Sequence, residues 1–245
     1  MAYSKLLYTI YKIRIIIKEN LKLIFGVRRA YMTELKKISG PRLKSLLEEN
    51  INIKEKLINE KYLTNTLVRN SCLEYINEER IEISACKFEN VVFSECCLRN
   101  VDLADIIFEN CDLSNIDFSN GSIHRVEFNN CKLLGADFSD SSIQDVLFKD
   151  TVSRYSNFGY SKVKNVKFQE CDMQSSMFLE CGFTCVTFNG CDLANSEFTN
   201  TPLKKVDFRE NNISDISLTG RELKDAIVSP MQAVELARFL GVIVK

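Results

Sequence analysis

A large apolar residue recurs at every fifth position of this chain, from Ile83, Phe88, Phe93 and Leu98 through to Leu218, Leu223 and Val228. Of the 30 positions in that series, only Ser153 departs. Hydrophobic residues make up 45% of the sequence, too few for chance to produce such a run. A period of five matches neither the 3.6 of a helix nor the 2 of a strand. It is an internal repeat, and it limits the fold before any single element is assigned.

Two residues before most of these positions sits a small or β-branched residue: Cys86, Val91, Cys96, Val101, Ile106, Cys111, Ile116 and onward to Ala226, with Asn211 and Arg221 as exceptions. Residues two apart share one side of an extended segment, so both point inward. The residue between them is often charged (Asp102, Asp112, Asp117, Glu127, Asp137, Asp172, Asp192, Asp207) and faces water. After five residues the phase resets, so the chain must turn a corner there. Asn100, Asn110, Asn115, Asn120, Asn130, Gly135, Asp140, Gly190 and Asn195 occupy that point, and such residues tolerate turn conformations. The expected product is a solenoid with flat sides and a filled interior.

The pattern small-(Asp/Asn)-(Leu/Phe)-x-x, continuous over residues 81–228, resembles the pentapeptide-repeat proteins. The resemblance implies a mainly β fold, a right-handed quadrilateral β-helix with four pentapeptides per coil. An even number of sides is also supported by the sequence, because twelve of the thirteen ten-spaced residues from Phe88 to Phe208 are Phe. Phe then stacks on two opposite sides. Thirty pentapeptides make about seven and a half coils, roughly 36 Å of rod at strand spacing.

The two ends lack the register. Residues 1–80 are expected to form a helical segment, with helices over about 4–25, 42–49 and 53–69 separated by Ser39-Gly40-Pro41. Residues 1–50 hold eleven Lys plus Arg against four Glu, while the whole chain has net charge −1. Two readings stay open for this basic segment: a cap over the first coil, or a docking element for a partner or for an anionic membrane through residues 1–30. Residues 229–245 read as a closing helix from Pro230 to Leu240, with Ser229 as N-cap, Gln232 completing a capping box and Gly241 as the stop. This end resembles the tail of the quinolone-resistance (Qnr) branch of the family, and the resemblance implies a homodimer through Met231, Val234, Leu236, Phe239 and Leu240.

No enzyme signature appears, so catalysis and a bound cofactor are not expected. The sole histidine, His124, falls at an outward position beside Arg125. Seven of the ten cysteines (Cys86, Cys96, Cys111, Cys131, Cys171, Cys181, Cys191) take the small inward position and are expected to act as buried reduced hydrophobes, with no CxxC metal pair. The N-terminal apolar stretch is interrupted by Lys12, Arg14, Lys18 and Lys22, so no secretory signal is read and a cytoplasmic protein is expected.

What remains is the surface. The side centred on Phe118, Phe138, Phe158, Phe178 and Phe198 carries Asp117, Asp137, Asp140, Glu180 and Glu197, with Arg99 its one basic residue. A rigid rod bearing aligned carboxylates resembles duplex DNA in charge, and a DNA-binding cleft attracts such a column. The Qnr resemblance implies that this side binds DNA gyrase or topoisomerase IV and relieves fluoroquinolone poisoning, with no nucleic acid bound by the repeat itself. Ser153 marks either a packing defect or a bulge that presents Tyr155 and Tyr160 as a contact patch.

Overall fold

The computed structural model describes residues 37–49 and 52–242. The chain divides into two compact units, Met1–Lys37 and Ile38–Lys245, and the repeat lies in the second. The helix expected over about 4–25 and the docking expected of residues 1–30 lie outside the described residues.

Strands β1 (Glu48–Glu49), β2 (Tyr62–Thr64), β3 (Thr66–Glu74), β4 (Glu82–Ser94), β5 (Asp102–Glu109), β6 (Ser122–Asn129), β7 (Ser142–Lys149), β8 (Lys162–Gln169) and β9 (Gly182–Asn189) form one sheet in the order β1-β3-β4-β5-β6-β7-β8-β9, with β2 on β4. All pairs are parallel, and from β3 to β9 each residue faces the one twenty later, as in Phe88↔Phe108 and Phe108↔Phe128. Twenty residues are four pentapeptides, so the repeat is a quadrilateral β-helix of about seven coils, as expected. One coil has a first side (101–105), a second (106–110), a third (111–115) and a fourth (116–120). The corners Asp105, Asn110, Asn115 and Asn120 have φ of 61°, 54°, 58° and 59°, the left-handed region that Asn and Asp tolerate best.

The four sides are not alike. From residue 101 to 200 the first and second are continuous strand, whereas the third and fourth are turns joined by isolated bridges; in the earlier coils β3 and β4 run on through the third side. In the central coils side-chain branching follows the split. Inward positions of the first side hold Ile123, Ile143 and Val163, and the small positions of the second hold Val126, Val146, Val166 and Val186; β-branched residues favour extended backbone. The fourth side has Ala136, Ser156, Ser176 and Ser196 instead. There the Ala136 and Ser156 amides donate to Leu133 O and Ser153 O, three residues back, at 3.0 and 3.2 Å.

Twelve Phe side chains are fully buried. Phe128 and Phe148 stack with centroids 4.9 Å apart on the second side, as do Phe138 and Phe158 on the fourth. Across the interior Phe138 meets Phe148 edge-on, at 5.9 Å and 88°. The two stacks are therefore one core, each ring contributing about 2 kcal/mol by burial and each ring pair about 1 kcal/mol more.

The small inward residues do more than fill space. The carbonyl of a large residue in one coil accepts a hydrogen bond from the small side chain 23 positions on: Phe108 O from Cys131 Sγ at 3.5 Å, Phe138 O from Ser161 Oγ at 2.6 Å, Phe188 O from Asn211 Nδ2 at 2.9 Å. This explains why Cys, Ser, Thr and Asn take that place rather than Ala alone. Ser153 belongs to the same network. It is buried, its Oγ lies 3.0 Å from Thr151 Oγ1, and its carbonyl accepts from Ser156 Oγ and Ser176 Oγ. Val152 pairs in register with Lys132 and Asp172, so there is no bulge, and Tyr155 and Tyr160 stand on an undistorted coil.

Two expectations for the N-terminal segment are overturned. The helix expected over about 53–69 is α1 (Ile53–Asn59) and no longer; β2 and β3 follow, with Leu63, Val68 and Leu73 buried at the repeat's inward positions. The solenoid starts one coil before residue 81. Nor are residues 42–49 helical: the segment 38–49 is extended and runs along the corner between the first and second sides. Ser39 N donates to Asp145 Oδ1 at 3.4 Å, Arg42 N to Asp105 Oδ1 at 2.9 Å, and Glu48 N to Asn65 O at 3.0 Å. Gly40 passes so close to Glu127 that an added Cβ would lie 3.2 Å from its Oε1. Contacts distant in sequence override the local helical spacing and make a strap across the coils of Asp145 to Asn65.

At the other end α2 (Pro230–Leu236) starts with the expected capping box, Gln232 N to Ser229 Oγ at 3.3 Å and Ser229 N to Gln232 Oε1 at 2.8 Å. The α-helix ends at Leu236, a 3-10 turn covers Ala237–Leu240, and Gly241 closes it at φ 71°. Gln232 Nε2 also donates to Phe208 O at 2.8 Å and Asn211 O at 2.9 Å. It thereby takes the role that a small side chain of the next coil plays elsewhere.

Candidate interaction surface

The aspartates of the turn sides have a structural duty. Asp117 and Asp137 accept the amides of Ser119 and Ser139 two residues on, at 2.9 and 2.8 Å, and Asp112, Asn157 and Asp192 do the same for Ser114, Gly159 and Ala194. Such Asx turns tie the side chain to its own backbone. One carboxylate oxygen is therefore committed to the turn, and the other is left to solvent or a partner.

The five carboxylates expected on the fourth side all lie there, but not as an unbroken stripe. Asp117, Asp137, Asn157, Met177 and Glu197 are successive cross-coil partners, and Asn120, Asp140, Tyr160, Glu180 and Asn200 succeed one another at the corner. Asp117 is neutralised by Arg99, whose Nε lies 2.7 Å from Oδ2. Burial raises the Asp117 pKa, but the Ser119 and Arg99 hydrogen bonds outweigh it and hold the group below the usual carboxylate range. Among the described residues Asp137, Asp140, Glu180 and Glu197 have no cationic partner. They form two acidic pairs, Asp137 with Asp140 and Glu180 with Glu197, interrupted at the corner by Tyr160 and in the bridged column by Asn157 and Met177. Summing charge over a whole side hid both the gap, which the sequence shows at twenty-residue spacing, and the Arg99 partner, which stands eighteen residues before Asp117.

That gap is apolar. Between residues 80 and 228 the exposed large hydrophobics are Val92, Leu134, Val152, Tyr155, Tyr160 and Met177, and all lie on the turn sides or their corners. Tyr155 is 66% exposed and Tyr160 53%. The strand sides present no such patch there, and the strap crosses their shared corner. Beneath it Arg125 grips Asp105 with Nε and Nη2 both at 2.6 Å, which lowers the Asp105 pKa. Burial would raise Asp145, yet hydrogen bonds from Gln144, Asn165 and the Ser39 amide hold it low. His124 Nε2 lies 3.6 Å from Asp145 Oδ2, and Arg125 Nη1 is 2.8 Å from its Nδ1. These contacts hold the corner together. Among the described residues no cluster of His, Cys, Asp or Glu is placed to hold a metal ion, and no helix is long and apolar enough to cross a membrane.

Of the residues expected at a dimer contact, Met231, Val234 and Leu240 are exposed at 73%, 47% and 79%. Leu236 is buried in its own chain and Phe239 packs against the core, so these two serve the cap. The seven inward cysteines are buried, while Cys72 and Cys185 are exposed. Burial pushes the Cys181 thiol up to about 12 and the Cys86 thiol up to about 11.

Residues 121–198 match the family model described as pentapeptide repeat region, and residues 49–138 match that of the SV2A/B/C luminal domain. Among solved structures, the chain is similar to a trypsin-treated form of QnrB1, a plasmid-mediated fluoroquinolone resistance protein. The two are 22% identical over 83% of this chain and 100% of the other, with a TM-score of 0.50, a likeness of fold. It is also similar to HetL, a pentapeptide repeat protein involved in heterocyst differentiation regulation from the cyanobacterium Nostoc sp. strain PCC 7120, at 14% identity over 73% and 95% of the two chains and a TM-score of 0.32. No curated protein matches the sequence.

Proposed function

We propose that this pentapeptide-repeat protein is a non-enzymatic, DNA-mimicking partner of a type II topoisomerase, DNA gyrase or topoisomerase IV, which it protects from poisons such as fluoroquinolones. The observation that carries the reading is the fourth side, where Asp137, Asp140, Glu180 and Glu197 lie along the stacked coils with no cationic partner among the described residues. Coils rise by about 4.9 Å, as the Phe stacks do. A cleft built for phosphates draws in such a rod by its charge before any finer contact forms. The likeness to QnrB1 supports the choice of partner.

Two chains join through Met231, Val234 and Leu240 at the capped end, which lengthens the charged rod. The protein works by occupying a surface, and its aspartates act as turn formers and charges rather than as acids or bases.

The test is binding of the purified full chain to DNA gyrase, with duplex DNA as competitor and salt varied. Displacement by DNA, with affinity falling steeply as salt rises, is the expected result. Reversing Asp137 and Asp140 to Lys should weaken binding at least tenfold. Binding indifferent to both DNA and charge reversal would remove mimicry as the mechanism.

A further inference from the structure

The apolar gap between the two acidic pairs has an order of its own. Along the corner that ends the fourth side, Asp140, Tyr160 and Glu180 follow one another at one-coil intervals, in the same backbone conformation, with φ of 56°, 61° and 53°. Their amides donate in sequence to Gly159 O at 2.9 Å, Leu179 O at 2.8 Å and Thr199 O at 3.0 Å. Equal conformation and equal rise project the three side chains in one direction, about 5 Å apart. A half-exposed phenol ring thus stands between two carboxylates. The corner aspartates Asp105, Asp150, Asp215 and Asp225 each have a cation within 4.0 Å, namely Arg125, Lys149, Arg238 and Lys204. Asp140 and Glu180 have none among the described residues.

Beside the ring lies Gly159, whose φ is not positive, so the backbone does not require glycine there. An added Cβ would meet Asn157 Oδ1 at 3.1 Å and approach Leu179 Cβ at 3.9 Å. The absent side chain leaves room next to the phenol, with Leu179 partly buried and Met177 39% exposed one coil further on. Tyr155 and Val152 extend the apolar surface around the adjoining corner onto the third side.

We infer that Asp140, Tyr160 and Glu180 form a docking site for an arginine side chain of a protein partner, with Met177 and Leu179 receiving its aliphatic stem. A guanidinium is planar and stays charged. It stacks on a phenol face by cation–π attraction while its N–H groups reach a carboxylate. The surface is complementary to that group in both respects, an aromatic face flanked by unneutralised negative charge. A purely apolar partner would leave two carboxylates desolvated without compensation. A partner that met only the charge would have no use for an exposed ring. The inference rests on the proposed function only for the identity of the partner. Within that reading, it makes Tyr160 the point at which a diffuse electrostatic approach becomes a specific contact.

The test uses the full chain with 13C-methyl methionine, in which Met177 is one of five reporters, and nona-arginine as probe. Titration should shift the Met177 methyl and the Tyr160 ring signals. Tyr160→Asn should weaken binding about fivefold, the scale of an exposed cation–π contact, and Tyr160→Phe should retain it. Asn is well suited to φ of 61°, so the fold should survive, which far-UV circular dichroism checks. Nona-lysine should bind more weakly at the same salt. The inference is overturned if nona-arginine leaves these signals unmoved, if Tyr160→Asn binds as wild type, or if nona-lysine binds equally well. Gyrase separates the two readings. Binding that Asp137→Lys abolishes but Tyr160→Asn leaves intact sinks the docking site alone. Nona-arginine seated at Tyr160 with no gyrase binding sinks the topoisomerase reading alone.

Discussion

The two strand sides and the two turn sides are written in the same five-residue pattern, yet they differ in backbone, in polar chemistry and in what they present. On the strand sides β-branched residues such as Ile143 and Val146 hold the chain extended, and the strap 38–49 lies on their shared corner. On the turn sides Ser, Ala and Leu replace them, Asx turns by Asp117, Asp137 and Asn157 hold the backbone, and the exposed apolar residues of the coils collect. The strap covers the corner of the strand sides, and the turn sides carry the surface that the proposed function uses. A repeat that averages to one motif can therefore divide its labour by varying its small inward residues and its outward polar residues from side to side.

The largest effect expected from challenging that division is a null one. Phe148→Ala on the strand sides and Phe138→Ala on the turn sides should each cost about 3–5 kcal/mol in urea unfolding, and by similar amounts, because the two stacks interlock edge to face. A gap of more than about 2 kcal/mol would mean that each pair of sides has its own core.

Exchanging the small residues should separate them. Val146→Ser should cost about 2–3 kcal/mol through lost burial and an added buried hydroxyl. Ser156→Val should cost about 1–3 kcal/mol through the hydrogen bond to Ser153 O. If both prove neutral, branching does not decide which side is strand.

The strap should respond to acid. Asp105, held by Arg125, has a folded pKa below its ordinary value of about 3.9. Its stabilisation is complete above that value and is lost as pH falls through the lower folded one. Protection of the Arg42 amide, its exchange rate taken relative to the intrinsic rate at each pH, should therefore fall on acidification towards pH 2 before β6 and β7 lose protection. Simultaneous loss would show that the strap is part of the solenoid's cooperative unit.

The smallest effects lie at the surface. Cys185→Ser should change stability by less than about 0.5 kcal/mol. A thiol reagent should modify Cys72 and Cys185 first and the seven inward cysteines only on unfolding, since those seven are buried out of its reach, and burial also raises the pKa of Cys86 and Cys181. Fast reaction at Cys131 or Cys171 would mean that the turn sides open.

The five-residue period made the coils, the corners and the stacked Phe core legible, because each depends on residues at fixed spacing. The start of the solenoid was missed. Glu78 breaks the inward series between Leu73 and Ile83, and the apolar residues from Ile53 to Val68 also suit a helix. The strap was missed because its backbone is held by Asp105 and Asp145, more than sixty residues away. The division between strand and turn sides was present all along, in Val126, Val146, Val166 and Val186 against Ala136, Ser156, Ser176 and Ser196. It has a period of twenty, which a five-residue reading averages out. The surface was least legible, since whether a carboxylate is spent on its own turn or on an arginine depends on contacts between coils.

The side chain of Gln232 has a further consequence. Every coil offers the next one the same amides and carbonyls, so nothing within the stack sets its length. In polymer terms each coil is a monomer with a reactive end, and Gln232 is the chain stopper, binding Phe208 O and Asn211 O where another coil would dock. A variant without that amide leaves those two carbonyls unpaired at an open edge, which invites a second molecule to dock there.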